Sequence, residues 1–303
     1  IPLTAGEQGF LLLTGYLGDP CRKPLTVAQF RELAKRAAMM QKPLADRELE
    51  ERDLLALGYS RERAVHILKL LSQTEQLRWY VEKGRAEGIE CITRISQGYP
   101  PLLRKRLGLD APGVLWMKGD ARILQEPAVA LVGSRNIQQP NRKFADEMGK
   151  QAVQQGYVLI SGHARGADRT AQDSCLAHGG KVISIVADRL DKCAPDKNVL
   201  YISEEGYDLP FSPQRALQRN RVIHSLGEMT FVAQCTLKKG GTWDGTSRNL
   251  RHRWSPVYCF DDRSAAVEEL TQMGAMRIDV RDLRSIRDLP AGEQNFFDEG
   301  FVF

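Results

Sequence analysis

Three turns of this chain combine small residues with cations in the arrangement that seats an anion. The first is Gly133-Ser134-Arg135, at the end of the apolar run 128–132. The second is Ser161-Gly162-His163-Ala164-Arg165-Gly166, which follows the run 157–160 and leads to Asp168 and Arg169. The third, Lys238-Lys239-Gly240-Gly241-Thr242-Trp243-Asp244-Gly245-Thr246, follows the run 229–234. A buried strand, a turn of small residues and a helix N-terminus direct backbone N–H groups at a phosphate. An arginine beside them grips the same group bidentately. The stretch RALQRNRVIHS, from Arg215 to Ser225, adds cations: on a helix Arg215 and Arg219 share one face, and Arg221 and His224 another. Asn220 between two arginines is unusual there, because asparagine is a poor helix former. Trp243 offers a ring on which a base can stack. Each feature also has a plain reading: a salt bridge at a sheet edge for Arg135, a solvated basic face for the 215–225 helix, a flexible loop with one exposed Trp for the third turn.

Catalytic patterns are missing by comparison. Gly133-Ser134-Arg135-Asn136 lacks the three-glycine spacing of a dinucleotide fingerprint, and no Walker A sequence occurs. Neither a nicotinamide or flavin oxidoreductase nor a P-loop NTPase is expected. His163 and Asp168 lie close together, but no Ser or Cys occupies a nucleophile elbow and no carboxylate pair stands out. Asp168, at a helix start, reads as an electrostatic or capping residue. The six cysteines form no C-x-x-C pair, so neither a zinc site nor a disulfide framework is indicated. No cofactor and no metal are expected.

The elements that must position these turns alternate strand and helix from residue 128 onward, the pattern of a parallel sheet with crossover helices. Strands are predicted at 128–132, 157–160, 181–186, 199–202, 229–234, 256–260 and 276–280, with a short one at 114–117. Helices are predicted at 142–155, 167–177, 214–226, 245–252 and 265–273. Leu217, Val222, Ile223 and Leu226 should face the sheet. Both of the first two turns then lie at the sheet's carboxyl edge, the usual ligand position in open α/β folds. Upstream, helices are predicted at 27–40 (capped by Thr26), 48–57, 60–71 (capped by Ser60) and 77–87, with Gly58 turning the middle pair into a hairpin. That hairpin resembles the helical-hairpin modules of DNA-binding proteins and equally suits a plain structural subdomain. The fold class is therefore α/β: an extended Rossmann-like parallel sheet preceded by a small helical domain of the SAM or helical-hairpin kind. The divisions are 1–95, 96–280 and a tail at 281–303, with 92–120 as an irregular connection and the final DEGFVF as an edge strand or tail.

Composition agrees with an ordinary globular protein, 42% hydrophobic and 27% charged, at net +5. No apolar run approaches the roughly 20 residues of a membrane span, and the start reads as no signal peptide. A reducing cytoplasm is the expected setting for the cysteines. The positive charge is uneven. Between Arg215 and Arg253 there are eight Lys or Arg against the two acids Glu228 and Asp244, a field suited to a polyanion.

Taken in order, the motifs resemble the DprA/Smf family, the DNA-processing proteins of bacterial transformation. The matching residues are Tyr99-Pro100 with Leu102-Leu103, Pro112 to Gly119, Val132 to Arg135, Ser161-Gly162, Ala164 to Gly166 with Asp168, Gly179-Gly180, and Arg219-Asn220-Arg221 with Ile223. Their spacing agrees over about residues 96 to 262, and the helical start fits the family's N-terminal domain. The resemblance implies single-stranded DNA binding, dimerisation and help in loading RecA, with no membrane association. By position it assigns Arg135, Arg165, Arg219 and Arg221 to phosphates, and Gly133, Ser134, Ser161, Gly162 and Gly166 as backbone donors. The full set of predicted nucleic-acid residues adds Asp168, Asn220, Lys239, Gly240, Gly241 and Trp243.

The chain departs from the family at several points. His163 stands where an aliphatic residue is preferred, and Gln172 where a histidine is usual. The family's Ser-Gly-Ser stretch is replaced by Lys239-Gly-Gly-Thr-Trp-Asp-Gly-Thr, and no winged-helix domain is expected after Val280. A second resemblance is to the LOG-type nucleotide phosphoribohydrolases, through Gly240-Gly241 and Gly245-Thr246. There Trp243 breaks the spacing, and Asn249 stands where a catalytic Glu is needed. A nucleotide sensor using the same pocket is the third reading.

Overall fold

The apolar, β-branched runs assemble into one nine-stranded sheet, ordered β1-β2-β6-β5-β4-β3-β7-β8-β9. The computed structural model describes residues 3–39 and 49–292; the DEGFVF stretch and part of the predicted 281–303 tail lie outside them. The parallel part comprises β3 (Ala128–Val132), β4 (Val158–Ser161), β5 (Val182–Ile185), β6 (Val199–Ser203), β7 (Thr230–Val232), β8 (Val257–Phe260) and β9 (Met276–Ile278). Strand residues alternate between two apolar layers. Val129, Leu131 and Leu159 face one side, where α7 (Gln139–Gln154), α8 (Ala167–Ala177) and the 3₁₀ segment Val280–Asp288 pack. Ala128, Ala130, Val132, Val158 and Ile160 face α6 (Pro101–Leu107), α10 (Asn220–Leu226) and α12 (Ala265–Gln272). A sheet covered by helices on both faces needs continuous apolar strands, which is why these runs carry few polar residues.

β3 pairs with β4 on one side and β7 on the other, so successive crossovers leave β3 in opposite directions. That is the topological switch point, where the strand ends splay apart and open a crevice at the carboxyl edge.

The segment 92–120, predicted to be an irregular connection with a short strand at 114–117, holds that strand as β2 and adds an unpredicted strand, β1, at its start. β1 (Ile89–Thr93) and β2 (Val114–Lys118) pair antiparallel with each other, and β2 continues antiparallel onto β6. β1 thus belongs to the sheet although it precedes residue 96. The helical start comprises α1 (Ala5–Thr14), α2 (Val27–Ala38), α3 (Glu51–Ala56), α4 (Arg61–Leu71) and α5 (Thr74–Ala86). Thr26 and Ser60 cap α2 and α4 through their hydroxyls. These helices bury their own cluster around Leu33, Leu54 and Ile67. α5 joins them to the sheet through Tyr80, which stacks on Tyr207 at 4.4 Å and meets Trp116 edge-on at 5.1 Å. Among the described residues no helix is long and apolar enough to cross a membrane.

Candidate nucleic-acid interface

The crevice at the switch point is a cleft of about 510 Å³. One wall is the turn after β3, Gly133 to Arg135, with Gly162, Ala164 and Asp168 from the turn after β4. Thr236 and residues 239–242, after β7, form the second wall. Phe211, Pro213, Ala216 and Leu217 supply an apolar third wall, and Arg219, Asn220, Ile223 and His224 reach in from the adjoining helices. Among the described residues, Arg135, Arg219 and Lys239 are the cations lining the cleft, and Asp168 is the single acid.

The two turns of the first wall are locked together. Gly166 has φ +83°, and a Cβ there would meet Ser134 O at 2.3 Å and Arg135 O at 2.5 Å. Only glycine permits that backbone and that approach. The Ala167 N–H then donates to Ser134 O at 3.1 Å, crossing between the turns. Asp168 secures the second turn from inside: its Oδ2 accepts the N–H groups of Gly162 at 3.0 Å and Ala164 at 3.3 Å. Burial raises this carboxyl to about pKa 6, against the opposing pull of the Arg219 guanidinium. Arg219 is itself buried and donates from Nη1 to Ile185 O at 2.9 Å.

The second wall is a helix N-terminus. α11 runs Gly240–His252, starting five residues before the predicted 245, because Gly240 at φ +80° lets the chain turn directly into the helix. Its N-cap residue, Lys239, makes no side-chain capping hydrogen bond. The N–H groups of the first turn and the positive end of a 13-residue helix therefore face the cleft beside exposed Lys239. Asn220 braces this start by donating from Nδ2 to Gly241 O at 2.9 Å.

The structure distributes the predicted residues unevenly. Gly133, Ser134, Arg135, Gly162, Asp168, Arg219, Asn220, Lys239, Gly240 and Gly241 line the cleft. The Gly162 and Ser134 N–H groups are already donated, to Asp168 and to Gln234 O, so neither is a spare donor. Ser161 is fully buried, and its hydroxyl accepts from Gln172 Nε2 at 2.6 Å. Arg165 is an exposed side chain of the second turn.

Arg221 is committed elsewhere. It pairs with Glu204 and donates from Nε to Asp110 O at 2.9 Å and from Nη1 to Gln218 O at 2.8 Å. Trp243 lies on the first turn of α11, half-buried against the apolar cluster beneath, and is not among the residues lining the cleft. The helix predicted at 214–226 is two, α9 (Pro213–Gln218) and α10, meeting at Arg219. That junction leaves Leu217 42% exposed at the cleft rather than facing the sheet. Arg215 is tied to the carbonyls of Ala187, Leu209 and Pro210 and to Glu205, and holds the loop before α9 in place.

His163 and Gln172 are hydrogen-bond partners. Gln172 donates from Nε2 to Ser161 Oγ and, at 2.8 Å, to Ser184 Oγ, so its Oε1 is left to accept from His163 Nδ1 at 3.0 Å. His163 Nε2 then accepts from Arg169 Nη2 at 3.3 Å. Burial holds the imidazole pKa below its usual value, in keeping with that neutral tautomer. The sequence reading missed the apolar wall of α9 and the contact of His224 with the cleft. The signal for the latter was a histidine within the apolar stretch Val222-Ile223-His224-Ser225-Leu226.

Comparison with known proteins agrees with this architecture. The family described as DNA recombination-mediator protein A matches residues 90–286. The chain is 26% identical over 208 residues to DNA processing protein DprA of Bacillus subtilis, covering 64% of this chain and 69% of that protein. It is 31% identical over 141 residues to DprA of Streptococcus pneumoniae, 43% of this chain and about half, 50%, of the relative's length. The solved structure of the pneumococcal protein superposes with a TM-score of 0.70 at 23% identity, covering 94% of this chain and 99% of the other. DNA processing protein A from Helicobacter pylori, whose structure was described for its single-stranded DNA binding mode, gives a TM-score of 0.55 at 22% identity, covering 65% and 94%.

Proposed function

The chain belongs to the DNA recombination-mediator protein A family, and from that premise we propose that it binds single-stranded DNA in the cleft at the switch point, without catalysis. One observation carries the reading. The N-terminus of a 13-residue helix, with Lys239 at its start, lines the same cleft of about 510 Å³ as Arg135 and Arg219. Phosphates seat against the α11 N-terminus and the three cations, while the apolar wall of α9 accepts sugar or base. Backbone and guanidinium contacts fix the strand without reading its sequence. The Helicobacter pylori relative, described for its single-stranded DNA binding, supports the same use of the fold here.

A hydrolytic alternative needs a carboxylate where Asn249 stands. That amide is fully buried and bonded to Ser255 and His224, with no freedom to activate water. Delivery of the strand to RecA, self-association as a homodimer and action in the cytoplasm belong to the same proposal. A co-sedimentation assay with RecA and a measured molar mass in solution test the first two.

The deciding experiment is fluorescence anisotropy with labelled oligo-dT, a matching duplex and free nucleotides across a salt series. Three cations on phosphates predict a slope of log Kobs against log salt near −2, about 0.7 per phosphate on single strands. Tight, salt-dependent binding of oligo-dT with weaker duplex binding is the expected result. Salt-insensitive oligonucleotide binding beside clear uptake of a mononucleotide overturns it in favour of a nucleotide sensor, for which the cleft volume also suffices.

A further inference from the structure

The crossover helices α7 and α8 both begin at the sheet's carboxyl edge, beside the first wall of the cleft. Each carries an exposed arginine in its first turn, Arg142 and Arg169. That is the wrong end for a cation, because the positive pole of the helix dipole disfavours arginine there and favours an anion. α7 has no acid in its first turn to offset the charge. The acid in the first turn of α8 is Asp168, which is buried and turned inward to the Gly162 and Ala164 N–H groups. Neither N-cap residue, Gln138 or Gly166, makes a side-chain capping bond.

Hydrogen bonds and close approaches join these cations to the cleft. Arg142 donates from Nη1 to Thr170 Oγ1 at 3.2 Å, and Thr170 Oγ1 donates to Gly166 O at 2.9 Å. Gly166 packs against the carbonyls of Ser134 and Arg135, so exposed Arg165, just before it, belongs to the same edge. Arg169, just before Thr170, donates to His163 Nε2 at 3.3 Å. Among the described residues neither Arg142 nor Arg165 is paired with an acid. Arg169 faces Asp173 at 3.9 Å, but both side chains are more than half exposed, where such a pair contributes little. Asp146 and Asp173 lie one turn further along their helices. Asp262 flanks α7 on the side of Asn141, to which it is bonded at 2.8 Å. At the Phe211 side of the cleft the sign is reversed: exposed Asp188 accepts the Phe211 N–H at 3.0 Å. A phosphate backbone leaving the cleft is repelled there and drawn toward the arginines.

Building on the reading of the cleft as a DNA site, we propose that the strand leaves it across the N-termini of α7 and α8, with its phosphates on Arg165, Arg169 and Arg142. The site is then longer than the cleft. Arg142 and Arg169 hold phosphates that a short oligonucleotide seated in the cleft does not reach, and the two helix N-termini add to the field that holds them.

The test compares oligo-dT of about 6 and about 16 nucleotides, both within the range of single-strand site sizes, by anisotropy across a salt series. On the wild type the short strand is expected to give a slope of about −2 from the cleft cations. The long strand should give about −4, from about 0.7 for each of roughly six phosphates. Arg142→Gln combined with Arg169→Gln should shallow the long-strand slope by about 1.4 and leave the short strand unchanged. Arg142→Lys combined with Arg169→Lys keeps the charges and gives up the guanidinium bonds to Thr170 and His163, and should keep the long-strand slope. Equal wild-type slopes on the two lengths overturn the proposal while leaving the cleft as a DNA site. So does a Gln pair that keeps the full long-strand slope, or one that loses equally on both lengths. A Lys pair as shallow as the Gln pair also overturns it, by showing that the arginines act through their bonds within the fold. Binding of neither length by the wild type overturns both readings.

Discussion

Arg221→Ala separates a structural arginine from a DNA-binding one. The resemblance assigns Arg221 to phosphate, yet the side chain is 12% exposed and pairs with Glu204, itself 10% exposed. Its remaining donors go to the carbonyls of Asp110 and Gln218. Removing one partner of such a pair strands the other charge and costs about 3–5 kcal/mol. Burial already raises the Glu204 pKa, and Arg221 is the group that opposes it. Without Arg221 the folded-state pKa rises further above the unfolded one. The variant's stability is then greatest at acid pH and falls as pH rises and Glu204 is forced to ionise. Urea melts at pH 5 and pH 7.5 should show a larger deficit at pH 7.5, by linear extrapolation. Anisotropy under conditions where the variant is folded should return the wild-type salt slope. A slope shallower by about 0.7 with an unchanged urea midpoint would place Arg221 on a phosphate and refute the reasoning.

Arg135→Ala should do the reverse, shallowing the salt slope by about 0.7 and weakening binding to all sequences alike, with little change in the urea midpoint, because the side chain is exposed. Asp168→Asn should flatten the pH dependence of stability. With a folded pKa of about 6 against the ordinary 3.8, the wild-type carboxyl contributes stability below about pH 4 that is lost as pH passes 6. The gap of about two pH units is worth about 3 kcal/mol, read as the difference between wild-type and variant melts at pH 4 and pH 7. Gly166→Ala should destabilise by more than about 1–3 kcal/mol, because strain at φ +83° adds to the collision with Ser134 O. Thermal melts check this, and a wild-type Tm would show that the two turns can part without cost.

The parts of the fold legible in the sequence are those whose local pattern and final environment agree. β3 matches its predicted bounds to the residue, and so does α8, because a continuous apolar run and a glycine-bounded amphipathic stretch each have one good solution. β1 lies just before a stretch broken by prolines and charges and becomes a strand by pairing with β2 as the edge of the sheet, whereas β2, predicted at 114–117, is found at Val114–Lys118. Propensity does not report that kind of partner. The site divides along the same line. Gly133 to Arg135 and Lys239 to Gly241 owe their position to strand ends, which sequence locates. Whether Arg221 points at DNA depends on Glu204, seventeen residues upstream on a different element, and no local spacing encodes that pair. Trp243 reads as a loop residue in the sequence because the glycines before it look like a turn, whereas they start the helix.

The bond between His163 and Gln172 makes the turn after β4 and the middle of α8 a single energetic unit. The buried amide of Gln172 spends its nitrogen on two serines and its oxygen on His163. Loss of either side chain leaves the other's polar atom unanswered, so the costs of removing them are coupled rather than additive. A double-mutant cycle on thermal stability with His163→Ala and Gln172→Ala is expected to show that coupling, and strictly additive losses would show that the bond contributes nothing.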